Sequence, residues 1–248
     1  MAALVPSFVW PIVFGVDVLL IAFVVLALRR HGGRGAAVAA VLFSAWFVLA
    51  TVLAAAGVFA GGAERPPKIG MGVFPPILAG AVALASSRSL RARVLAIPQP
   101  WLVGIQSLRV IGVVFLVLLA QGALPRQFAL PAGWGDMAVG AAAPLVAYAL
   151  AIRKRWAPRL AVAWNVLGLL DLGVAIGIGA LSAESSIRLF TGGPSTDAMA
   201  VLPLSLIPTF GVPIFVLLHV VSLLGLRARA KERADRAPLG TAPALARR

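Results

Sequence analysis

The chain has 248 residues, 61% of them hydrophobic and 12% charged, with a net charge of +14 and no cysteine. A soluble domain carries roughly 25% charged residues, so this composition argues against one, and the missing cysteines exclude disulfides, thiolate metal sites and cysteine nucleophiles. The positive residues sit in short segments flanking apolar runs, which is the topology signal of a membrane protein and not the footprint of a nucleic-acid binder.

The apolar runs are long enough to cross a hydrocarbon core of about 30 Å. Span 1 covers about 4–28 and is closed by Arg29, Arg30, His31 and Arg34. No Lys or Arg precedes it, and it is too long for the apolar core of a signal peptide, so it reads as a retained span. Span 2 covers about 36–60 and span 3 about 69–87, with Pro75 and Pro76 inside the latter. A basic linker with Arg88, Arg91 and Arg93 leads past Pro98 and Pro100 to span 4, about 101–123. A loop rich in Pro and Gly then reaches span 5, about 135–152, which Arg153, Lys154 and Arg155 close. Span 6 is about 160–182 and span 7 about 200–226. The expected fold is therefore an all-α integral membrane protein, a bundle of seven transmembrane helices over 1–226. A basic cytoplasmic tail over 227–248 reads as disordered.

Seven spans collect the loops 29–35, 88–100 and 153–159 and the tail on one side, and the nearly charge-balanced loops 61–68, 124–134 and 183–199 on the other. The positive-inside rule then places the N-terminus outside and the C-terminus in the cytoplasm. The outer loop 183–199 is long enough to cover an external mouth. High Ala, Arg and Gly content suggests a bacterial chain from a GC-rich genome, hence an inner membrane.

Depth follows from a helical rise of about 1.5 Å per residue. Counted from the cytoplasmic end of each span, Arg109 lies roughly 12 Å deep, Asp171 and Asp17 roughly 16 Å, and His219 roughly 10 Å. Asn165 and Gln106 lie roughly 8 Å deep. Gln106 and Arg109 are three apart and share a helix face. Trp164, Gly168, Asp171 and Ala175 form another stripe at helical spacing. A charge at this depth persists only if paired, hydrated or used, so Arg109 is expected to meet Asp171 or Asp17. The carboxylate left over, with His219, supplies the kind of groups that proton relays and coupled transporters use. The alternative is structural: a buried pair that locks helices together, an interior histidine, and Asn165 as an interhelical hydrogen-bonding residue.

Prolines in span 3 and span 7 (Pro203, Pro208 and Pro213) free backbone carbonyls and either line a cavity or only bend the helix. Gly173 and Gly177 have the spacing of close helix packing. A retinal Schiff base needs an intramembrane lysine, and the lysines are Lys68, Lys154 and Lys231, all in loops or tail. No pair of intramembrane histidines suits bis-histidine haem, and no ligand cluster suits zinc. The sequence names no cofactor.

Gly133-Trp134-Gly135-Asp136, followed by Met137-Ala138-Val139-Gly140, resembles the GxGD signature of the intramembrane aspartyl proteases, the presenilin and signal-peptide-peptidase group. That resemblance implies a second Asp on the preceding span and a carboxyl pair sharing a proton. Span 4 offers Arg109 there and no Asp. Asp136 is instead expected near the outer surface, capping span 5 opposite Arg126.

The functional expectation is a small-solute or ion transporter or channel. Arg109 would bind an anion or hold a gate, Asp171 or Asp17 would couple protons or ions, and His219, Asn165 and Gln106 would complete the site. The alternatives are a non-catalytic sensor or accessory subunit whose tail binds anionic lipid or a partner, and an enzyme acting on a lipid-soluble substrate. The partners expected are the lipid bilayer and a small solute or ion, with no nucleic acid.

Overall fold

The computed structural model describes residues 5–32 and 35–235, and every regular element among them is helical. Helix α1 (Val9–Ala27) ends in a π-helical turn (Leu28–Gly32), and α2 (Ala36–Ala55) follows. α3 (Gly70–Ser86) meets α4 (Arg88–Leu95) at a bend of 101°. α5 (Gln99–Gly104), a 3-10 stretch (Ile105–Gly112) and α6 (Val113–Ala120) form one continuous rod. α7 (Arg126–Ala151) and α8 (Ala157–Ser182) follow, and a π-helical turn (Ile207–Gly211) opens α9 (Val212–Asp235).

Among the described residues, six helical segments are long and apolar enough to cross a membrane: Val9–His31, Ala36–Ala55, Gln99–Ala120, Arg126–Ala151, Ala157–Ser182 and Ile207–Asp235. α3 meets that standard only together with α4. Val41, Leu78, Leu145 and Leu167 are each more than half exposed. An outward face this apolar suits lipid and not water.

Four expectations change. Residues 124–134 are not a loop: α7 starts at Arg126, behind Pro125 in extended conformation. Gly and Pro break helices in water but are tolerated in membrane helices, where neighbours satisfy the freed backbone groups. Residues 88–100 are not a plain linker either. Ser87 turns the chain, its Oγ accepts from the Leu90 N–H at 3.1 Å, and α4 follows with Arg88 and Arg91 exposed. The last span starts at Ile207, not near 200, and its helix continues through Asp235. So 227–235 is helical, while 236–248 lies outside the described residues.

The fourth change concerns glycine. A Cβ on Gly173 or Gly177 would meet nothing within 4 Å, so neither is a packing contact. The close approach is between α7 and the α5–α6 rod. There a Cβ on Gly112 would come within 2.9 Å of the Gly133 carbonyl oxygen, and one on Gly133 within 3.1 Å of the Gly112 oxygen. A Cβ on Gly140 would sit 2.7 Å from the Val110 backbone nitrogen. Backbones can approach this closely only where side chains are absent.

The bundle has two unlike ends. His31 packs edge-on to Trp101 with centroids 5.1 Å apart, and Gln99 donates to the Ser222 carbonyl at 3.1 Å. These contacts gather the end of α1, the α4–α5 corner and the end of α9, with Arg29, Arg30, Arg88, Arg91, Arg93 and Arg227, at one basic end. At the other end the Ser186 N–H donates to the Arg65 carbonyl at 3.0 Å. The connection 183–199 folds back there, Thr196 Oγ1 donating to the Gly179 carbonyl at 2.7 Å. At its last residue, Met199 is buried against a core that includes Leu124 and Phe128.

The glycine geometry predicts that Gly140→Ala lowers stability by about 1–3 kcal/mol through overpacking against rigid backbone. Gly173→Ala is expected to stay within about 0.5 kcal/mol of the parent. Thermal unfolding of both variants in detergent checks the contrast, and equal losses would contradict the packing described.

Candidate functional site

The 3-10 stretch sets the site. A 3-10 helix has three residues per turn, so positions three apart eclipse one another. Gln106, Arg109 and Gly112 therefore form one ridge, and all three are buried. Arg109, in the middle, is 0% exposed.

Its guanidinium is shared between two carboxylates from different helices. Nε donates to Asp136 Oδ1 on α7 at 2.7 Å, and Nη2 donates to Asp171 Oδ2 on α8. Nη1 donates to the Gly168 carbonyl at 3.2 Å and lies 3.1 Å from His219 Nε2 on α9. Four of the five N–H donors of an arginine are thus engaged inside the protein. Charge-assisted bonds of this kind are roughly twice as strong as neutral ones.

Three glycines make the space. A Cβ on Gly112 would come within 2.5 Å of Asp136 Cβ, and one on Gly168 would strike the His219 ring at 2.5 Å. A Cβ on Gly135 would overlap the Asp171 carboxylate. The Gly-Trp-Gly-Asp segment is thereby accounted for by packing: Gly133 admits Gly112, Gly135 admits Asp171, and Asp136 supplies the ion pair. Asp136 is not a cap near the surface and does not face Arg126, which is exposed at the helix start. Ten residues into α7, it lies roughly 15 Å from that end, level with Arg109. Both carboxylates bind the same guanidinium, so a cation stands at the pair, which the protease dyad of two acids does not have.

The network continues toward the basic end with a fixed direction. A guanidinium has no acceptor, so His219 Nε2 must offer its lone pair to Arg109. A ring that accepts at Nε2 carries its hydrogen at Nδ1, and Nδ1 is 2.8 Å from Asn165 Oδ1. Asn165 Nδ2 donates to the Ala161 carbonyl at 2.7 Å and to Ser222 Oγ at 3.0 Å. Ser222 Oγ donates to Gln99 Oε1 at 2.7 Å. Trp164 covers the imidazole, centroids 5.1 Å apart, while donating to the Val139 carbonyl at 3.2 Å. Each group donates to the next from Arg109 to Gln99, so the histidine is held in one tautomer.

Of the residues singled out by depth, Arg109, Asp171, His219 and Asn165 come together. Gln106 shares the ridge but donates to the Phe215 carbonyl at 3.2 Å, and its Oε1 has no partner among the described residues. Asp17 does not join the group. It is 2% exposed, its Oδ2 has no partner among the described residues, and its Oδ1 faces Gly211 in the π-helical turn. Asp136, Ser222 and Gln99 were missed. Asp136 had a signal: Ala129, Ala132, Gly133, Asp136, Gly140 and Ala143 form a buried stripe at helical spacing on α7. No group of three or more His, Asp or Glu among the described residues is placed to hold a metal ion.

The site and fold define an all-helical protein, its helices apolar enough for a membrane, built around a buried arginine between two carboxylates. Residues 66–227 match the family described as Domain of unknown function (DUF8737), and the chain belongs to that family. The match covers α3 through the membrane-length part of α9, with every member of the Arg109 network, and leaves out α1, α2 and Asp17. No curated protein and no solved structure matches the chain.

Two outcomes follow for this network. Arg109→Ala is expected to cost about 3–5 kcal/mol, because it leaves two buried acids without their cation, and Asp136→Asn about 1.5–3 kcal/mol, the worth of a hydrogen bond to a charged group, because Arg109 keeps Asp171. The double variant should fall short of the sum by 0.5–3 kcal/mol or so, as contacting residues do, and a strictly additive cycle in detergent melts would refute the pairing. Nitrogen-15 NMR of His219 should show hydrogen on Nδ1 and a bare Nε2; a protonated Nε2 would break the direction of the chain.

Proposed function

We propose that the chain is a seven-span protein of the bacterial inner membrane that moves a small solute or an ion, with the carboxylates on Arg109 as the coupling group. The observation that carries this reading is the charge count. With both acids ionised, one guanidinium faces two carboxylates, leaving one negative charge in excess inside an apolar bundle. His219 does not balance it, because its ring is held as an acceptor toward Arg109. A proton or a cation balances it instead. The acids are the reachable members: the side chains of Asp136 and Asp171 are 11% and 14% exposed, against 0% for Arg109. Arg109 has one donor left, so its part is to hold the two acids at one depth and not to clamp an anion.

Orientation follows the basic end, which faces the cytoplasm under the positive-inside rule. The three-donor run His219–Asn165–Ser222 then leads from the coupling group toward the cytoplasmic side. Asp17, buried beside the π-helical turn of the last span, is the second ionisable group for such a cycle, since π-turns often mark functional places in helices. A second reading is favoured by α9, whose last residues leave the bundle as an exposed helix with Arg227, Arg229, Lys231 and Arg233. A basic helix of this kind suits an anionic surface or an acidic partner.

In proteoliposomes with a trapped pH dye, an imposed gradient should dissipate at least tenfold faster than in empty vesicles. Asp171→Asn should return the rate to that of empty vesicles, and a chain ending at Leu226 should keep the parent rate. Dissipation unaffected by Asp171→Asn removes the coupling role; a phenotype that tracks only the truncated tail favours the second reading.

A further inference from the structure

Away from the Arg109 network, α2 and α3 scarcely touch, and a cavity of about 710 Å³ opens between them. It lies toward the basic end and is walled by α1, α2, α3, α4 and α9, with Phe23, Phe43, Pro76, Ala83 and Leu90 among its lining. That volume falls in the usual ligand-site range of roughly 300–1,000 Å³. The walls are almost wholly apolar, and among the described residues one charged side chain, Arg93, lines the cavity.

Arg93 is half-buried, on the face of α4 turned to the cavity. Its Nη1 lies 3.0 Å from where a Cβ on Gly35 would stand, so it reaches across the mouth to the first turn of α2. The ion pairs among the described residues are Arg109 with Asp136, Arg109 with Asp171, and Arg188 with Glu184. None supplies a counter-charge to Arg93. α4 lies across the line of α3 at 101°, with Leu90 and Val94 toward the cavity and Arg88 and Arg91 exposed. That is the build of a helix lying in a membrane interface.

We propose that this cavity is a binding site for an anionic phospholipid, with an acyl chain between α2 and α3 and the phosphate on Arg93. An apolar slot open to the bilayer takes hydrocarbon, the medium on its doorstep. A half-buried cation without a carboxylate partner selects the lipids whose headgroups carry net negative charge. The site depends on the chain being a membrane protein and not on the coupling role of Asp136 and Asp171.

The experiment is native mass spectrometry of the full chain in detergent, with dioleoyl phosphatidylglycerol and dioleoyl phosphatidylcholine as probes. The wild-type protein should retain one phosphatidylglycerol in preference to phosphatidylcholine. Arg93→Gln should cut that preference roughly fivefold, the worth of one cation at an anionic surface. Arg88→Gln should leave it unchanged. Ala83→Trp, which fills the cavity, should remove the bound lipid of either class. Equal retention of both lipids by the wild type, or an unaltered preference in Arg93→Gln, overturns the proposal. Because Ala83→Trp can fail by misfolding, brominated-chain phosphatidylglycerol gives an independent reading. It should quench a component of the wild-type emission that is missing from Trp46→Phe, since Trp46 lines the cavity. Absence of that component also overturns the proposal. Asp171→Asn should retain lipid as the wild type does, so a failure of transport and a failure of lipid binding are read separately.

Discussion

A guanidinium with no exposed surface, set among helices that are apolar on both faces, constrains the rest of this molecule. Arg109 cannot shed its charge, so everything around it must supply acceptors. Two carboxylates, a carbonyl and an imidazole do so, drawn from α7, α8 and α9. Four helical segments are thereby fixed in register about one side chain. These polar contacts, with the close backbone packing at Gly112, Gly133 and Gly140, tie the four segments together.

The backbone is shaped to the same end. The 3-10 stretch aligns Gln106, Arg109 and Gly112 on one ridge, where an α-helix would fan them apart. Glycines stand where the charged groups need room, at 112, 135 and 168, and where α7 meets the rod, at 112, 133 and 140. A motif that resembles a protease signature is thus a set of clearances plus one acid. The tautomer of His219 follows from the same neighbour: an arginine that can only donate obliges the ring to accept, and Asn165, Ser222 and Gln99 hold the other nitrogen in place.

The two ends and the side of the bundle divide further duties. The connection 183–199 folds back at one end, next to a core closed by Met199 and Leu124. The basic end is left open between α2 and α3, with Arg93 at the opening. These features lie apart from the Arg109 network in the fold, so the charge network and the lateral cavity can be altered separately.

Apolar runs and their flanking charges were enough to read an all-helical chain with membrane-length segments, because hydropathy over a span depends on composition and not on neighbours. Depth counting put Arg109, Asp171, Asp17 and His219 in one layer, with Asn165 and Gln106 somewhat shallower, since helical rise is a local property. What local pattern left open was partnership. Asp17 and Asp171 share a depth, yet Asp171 faces Arg109 while Asp17 faces Gly211, and depth along a helix does not say which way a side chain turns. Asp136 was placed at a surface because Gly and Pro around it read as breakers, a rule that holds in water and lapses where packed helices satisfy the backbone. Gly173 and Gly177 looked like a helix contact by spacing, but spacing does not say whether a helix stands opposite. The pairing of charges, the direction of the hydrogen-bond chain and the lateral cavity all depend on which helix lies beside which, and that was settled only by tertiary packing.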